Sequence, residues 1–152
     1  MKTELISVGW REWLSLPTLG LPAVKAKIDT GAKTSALHAF FIERFRRDGD
    51  DFVRFCMHPL QNNKELVVQC EAPLLDERIV SDSGGHKELR YVIMTDVVLG
   101  SHQWSVELTL TNRDSMHFRM LLGRSAMKNR LLVNPSRSYL CGKLDYLGLY
   151  GL

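Results

Sequence analysis

The 152-residue sequence predicts an all-β domain, on three observations. Polar and apolar residues alternate with period two over long stretches, turn residues return roughly every ten positions, and one short segment has helical character. The first is plainest at Gln103-Trp104-Ser105-Val106-Glu107-Leu108-Thr109-Leu110-Thr111, which alternates without a fault, as a strand with one buried face does. Several short strands separated by such turns imply a compact β barrel or sandwich.

Taken in order, residues 24–28 alternate and run into Asp29-Thr30-Gly31. Residues 40–46 and 52–57 are β-rich and flank Asp48-Gly49-Asp50, a turn signal that predicts a hairpin. Residues 65–71 put Leu66, Val68 and Cys70 on one face. Turn formers cluster at Ser81-Asp82-Ser83-Gly84-Gly85, and residues 91–99 read as a long strand ended by Gly100-Ser101. The helical segment is 124–130, and Asn134-Pro135-Ser136 stops it from growing. With no repeat, linker or low-complexity tract, residues 1–152 read as a single domain.

Hydrophobic residues make up 45% of the chain and charged residues 24%, an ordinary globular balance that excludes a disordered class. No stretch is apolar enough to span a bilayer. Glu4 and Arg11 interrupt anything of signal-peptide length, so the expectation is a cytoplasmic protein without a membrane partner. Three widely spaced cysteines, Cys56, Cys70 and Cys141, predict reduced thiols rather than a disulfide framework. The net charge of +3 is too mild to imply nucleic acid and is compatible with an acidic substrate. His38, His58, His86, His102 and His117 have no zinc-ligand spacing, and no phosphate-cradling glycine loop precedes a Lys-Ser/Thr pair. No metal or cofactor is expected.

Chemistry concentrates in Ile28-Asp29-Thr30-Gly31-Ala32-Lys33-Thr34-Ser35-Ala36-Leu37. A strand delivers an acid into a turn that Gly31 makes possible, and a second strand leaves. Hydroxyl and backbone N–H neighbours are placed to orient the carboxylate. A second apolar stretch, Phe118-Arg119-Met120-Leu121-Leu122, ends in Gly123-Arg124 immediately before the helix.

This order resembles the retropepsins, the small dimeric aspartic peptidases. More narrowly, residues 28–39, Leu121-Leu122-Gly123-Arg124 and Asn134-Pro135-Ser136-Arg137-Ser138-Tyr139-Leu140 are similar to the bacterial RimB-type group, often called ATP-dependent zinc proteases. The resemblance covers roughly residues 8–130, with an insertion between Phe40 and Pro73. It implies a closed retropepsin-like barrel with a flap hairpin and one short C-terminal helix. Asp29, Thr30 and Gly31 would be the catalytic turn. Ala32, Lys33 and Thr34 would line substrate subsites. Ser83, Gly84, Gly85 and His86 would belong to the flap, between strands at 77–80 and 88–94, and Arg124 would lie near the cleft. In viral relatives an acid follows Asp-Thr-Gly-Ala and pairs with the Gly-Arg arginine. Lys33 occupies that position here, so Arg124 needs another partner. The group is linked to RimK-type ligases, which add glutamate tails to a ribosomal protein.

Peptide hydrolysis needs a base for the water and an acid for the carbonyl oxygen and leaving nitrogen. Two close aspartates sharing one proton supply both. The Asp-Thr-Gly occurs once, and Asp96, Asp114 and Asp145 lack the glycine. A homodimer would bring the second acid. Two other classes stay open at this point: a non-catalytic regulatory partner of a glutamate ligase, and a zinc peptidase.

Overall fold

A computed structural model describes residues 4–81, 84–112 and 117–152 of the chain. Its strands are β1 (Ile6–Val8), β2 (Arg11–Leu16), β3 (Leu21–Ile28), β4 (Ser35–His38), β5 (Phe40–Arg47), β6 (Asp50–Met57), β7 (Val68–Ser81), β8 (Lys87–Leu99), β9 (His102–Thr111), β10 (Met120–Leu122) and β11 (Leu131–Val133). The fold is all-β, as the alternation predicts. Nine strands form one sheet in the order β2-β3-β10-β4-β9-β8-β7-β6-β5. Strand β2 also meets β8 through Ser15 and Val98, so six of the nine are joined in a ring of pairings. The remaining two, β1 and β11, pair in parallel as a separate ribbon.

Leu14, Leu16, Leu21, Leu37, Phe55, Ile93, Leu108 and Leu122 form the buried centre. They come from seven strands, which is why the inward alternation of each segment reports on one common core. The hairpin predicted at Asp48-Gly49 is present, with φ of 52° and 86° at those two residues. Two successive positive φ values match the strand twist of a two-residue hairpin loop, and glycine accepts one without strain.

The structure differs from the expected elements in two places. The strand expected over 65–71 begins only at Val68, and with 77–80 it is part of one long strand, β7, which changes neighbour halfway. Its residues 68–73 pair with β6 and its residues 74–81 with β8. Pro73 stands at the changeover, where its missing N–H removes the least from either ladder. The second difference is helical. Beside α1 (Arg124–Met127) there is α2 (Tyr146–Leu149), capped by the Asp145 side chain, which accepts the Gly148 N–H. Tyr146 stacks on Trp13 at 5.1 Å between ring centroids, so tertiary contact holds a helix too short to signal itself in sequence.

The segment containing 134–142 is tied to the start of β2 by a buried acid. Glu12 is wholly inaccessible, and its carboxylate accepts N–H groups from Gly9 (2.7 Å), Leu140 (2.9 Å) and Cys141 (3.0 Å). Three donors compensate much of what burying a charge costs. Nearby, the Trp10 N–H donates to the Arg137 carbonyl and the Trp10 carbonyl accepts the Ile28 N–H at 2.8 Å. The clamp therefore reaches the last residue before Asp29. All three cysteines are free, and burial pushes the Cys70 thiol up to about 12. Among the described residues, no helix is long and apolar enough to cross a membrane.

Candidate active site

Two parallel strands, β3 and β10, end side by side with Ile28 opposite Leu122. Asp29 continues the ladder by donating its N–H to the Leu122 carbonyl at 2.9 Å. The chain then turns, and Asp29 Oδ1 accepts the Gly31 N–H at 2.9 Å. Gly31 is thus the expected backbone donor. Thr30 contributes differently from expectation, lending its carbonyl to Arg124 Nη1 at 3.0 Å.

The turn is laced to the Gly123-Arg124 segment. The Arg124 N–H donates to the Ala32 carbonyl (2.8 Å), the Ser125 N–H to that of Lys33 (3.1 Å), and the Gly123 N–H to the buried Ser35 hydroxyl (3.0 Å). These bonds join two sequence motifs 94 residues apart into one rigid unit. Arg124 has exchanged the carboxylate of the viral pattern for a backbone carbonyl, and the exposed Lys33 side chain does not compete for it.

A cavity of about 1270 Å³ opens beside this turn. Asp29, Gly31, Ala32, Lys33 and Thr34 line it, together with residues 78–81 of the β7–β8 hairpin. Thr30 and Arg124 are not among the residues that line it. Gly84, Gly85 and His86 are exposed at the hairpin tip, where Gly85 has a φ of 83°. Ser83 lies outside the described residues.

The cavity contributes residues that the sequence did not single out. Arg78, Arg90, Lys128 and Arg130 join Lys33, so among the described residues five cationic residues and two acidic ones, Asp29 and Glu107, line the cavity. Arg78 donates to Glu107 at 2.6 Å and to Asp76 at 2.8 Å, and these hydrogen bonds raise its pKa above the ordinary value. The Arg78 bond in turn lowers the Asp76 pKa. Arg90 is 7% exposed and donates to Glu88 at 3.1 Å and Thr109 at 3.2 Å. Strand alternation marks Arg78 and Arg90 as opposite neighbours across the hairpin, but no sequence signal says that their shared face looks into a cavity. Among the described residues, no group of three or more His, Cys, Asp or Glu side chains could hold a metal ion.

An acid on an Asp-Thr-Gly turn, bound to Leu-Leu-Gly-Arg within an all-β fold, defines the retropepsin-like class. Residues 7–143 match the RimB-like family model, described as retropepsin-like aspartic endopeptidase RimB, and the chain belongs to that family. It is 48% identical over 155 residues to a probable alpha-L-glutamate ligase of Shewanella halifaxensis, covering 100% of this chain and 34% of that protein. A probable alpha-L-glutamate ligase of Parasynechococcus marenigrum is 53% identical over 142 residues, 93% of this chain and 30% of the other. The chain thus spans about a third of the length of these relatives. A crystal structure of a Legionella pneumophila protein of unknown function superposes with a TM-score of 0.74 at 25% identity, covering 91% of this chain and 99% of that one.

Proposed function

We propose that residues 1–152 act as one retropepsin-like domain, half of a homodimeric aspartic peptidase whose two Asp29 carboxylates meet across a twofold axis. The observation that carries this reading is the Asp29 carboxylate itself, oriented by Gly31 at the wall of a large cavity. In the dimer, one Asp29 takes a proton from water while the other, protonated, donates to the substrate carbonyl oxygen. The first Asp29 then donates the water's proton to the leaving nitrogen, while the second recovers a proton from a hydroxyl of the collapsing tetrahedral intermediate. The β7–β8 hairpin closes over the peptide, with Gly84, Gly85 and His86 at its tip and Ala32, Lys33, Thr34 and Arg124 around the turn.

The excess of cations among the described residues of the cavity supports an acidic substrate, since unlike charges raise local substrate concentration. A glutamate tail on a ribosomal protein has that chemistry, and the glutamate-ligase names of the relatives favour a working link to a RimK-type ligase. The reaction would take place in the cytoplasm. The same names also support a second reading, in which the domain regulates a ligase without cleaving anything.

The two readings separate on Asp29→Asn, which keeps the turn's shape and removes the proton chemistry. Following the mass of a glutamylated peptide, the wild-type protein should shorten it. The variant should be slower by several orders of magnitude, since acid and base fail together. Equal shortening by both, in folded protein, contradicts the aspartic mechanism.

A further inference from the structure

The cavity's cations divide by what neutralises them. Arg78 and Arg90 are held by acids of their own hairpin and of β9. Like Lys33 on the Asp29 turn, Lys128 and Arg130 have no acidic partner among the described residues. Both lie on the tight turn between α1 and β11, and that turn is fixed along its backbone. The Lys128 N–H donates to the Arg124 carbonyl (3.0 Å), the Arg130 N–H to that of Met127 (2.9 Å), and the Arg130 carbonyl accepts the Ile6 N–H (3.0 Å).

The Arg130 side chain is also positioned. Its guanidinium carbon lies 5.3 Å from the centroid of the Trp104 ring. That indole is 7% exposed and is anchored by its own N–H, which donates to the Ala126 carbonyl at 3.1 Å. A cation–π contact of this kind restrains the guanidinium through its charge and does not use its N–H donors. A cation with its orientation preset and its donors unused loses little entropy on gripping a carboxylate. Arg78, already bound twice, would first have to release an acid.

We propose that Arg130, held over Trp104 by a cation–π contact and joined by Lys128 on the same turn, forms a subsite for an acidic side chain of the peptide, distinct from the Asp29 turn. The proposal deepens the acidic-substrate reading and rests on it, but binding at this subsite does not require hydrolysis. It assigns selectivity to residues that touch a substrate side chain rather than the scissile bond.

The test uses the full chain carrying Asp29→Asn, so that no peptide is consumed, with labelled hexaglutamate and hexaglutamine read by fluorescence anisotropy. Hexaglutamate should bind more tightly, and the preference should shrink with added salt. Arg130→Gln should cut the ratio of the two dissociation constants by about tenfold, the range of one charge-assisted contact. Arg130→Lys, which keeps charge without the planar fork, should fall between. Lys128→Gln, at an exposed position, should lower the same ratio and keeps the test available if Arg130→Gln does not fold. No preference in the parent protein, or a ratio unchanged in both Gln variants, overturns the proposal. A ratio that responds as expected while the unmutated chain hydrolyses nothing leaves the subsite standing and removes the peptidase reading alone.

Discussion

A Cβ added at Gly123 would lie 2.6 Å from the Thr34 carbonyl oxygen and 2.7 Å from its carbon, both backbone atoms. Neither can swing away as a side chain would, because the 32–35 turn is bonded to this same segment. Gly123→Ala should therefore cost about 1–3 kcal/mol, as overpacking does, and be read as a lower Tm with a displaced Asp29 turn. An unchanged Tm would mean that the two motifs are less tightly joined than the hydrogen bonds indicate. At this scale the Asp29 turn was legible because its chemistry lies in consecutive residues. The partner of Arg124 was not. Lys33 announces that a carboxylate is missing, but a backbone carbonyl as replacement leaves no trace in residue identity. Trp104, Lys128 and Arg130 were invisible as a group because separate elements bring them together.

Among the elements, the connection between the 134–142 segment and β2 depends on one side chain. Glu12→Leu fills the space but leaves three N–H groups, one buried and two part-buried, without their acceptor. An unsatisfied buried donor costs about 1–3 kcal/mol, so the variant should lose several kcal/mol or fail to fold. Hydrogen exchange should show the first loss of protection at Leu140 and Cys141, and a wild-type unfolding midpoint would refute the clamp. The sequence shows Glu12 between Arg11 and Trp13 at a position that β2 alternation turns inward, a conflict that marks a buried network without naming its partners. The length of β7 was equally hidden, since Pro73 reads as a break. It is a break in partner rather than in the strand, and a single sequence has no record of pairing. Strand periodicity located most of the sheet because it depends on burial of one face, which neighbours in sequence report directly.

For the whole molecule, the proposed function requires a shared site, in which each chain would bring one Asp29 and neither subunit would hydrolyse alone. The most direct test mixes wild-type protein with increasing Asp29→Asn protein at a fixed amount of wild type, under conditions where subunits exchange freely. With random pairing, an equal amount of variant should reduce hydrolysis to about half, and a roughly ninefold excess to about a tenth, as wild-type chains are drawn into mixed dimers. Hydrolysis that stays constant at every excess of the variant, with exchange shown by tagged subunits, would contradict the shared dyad.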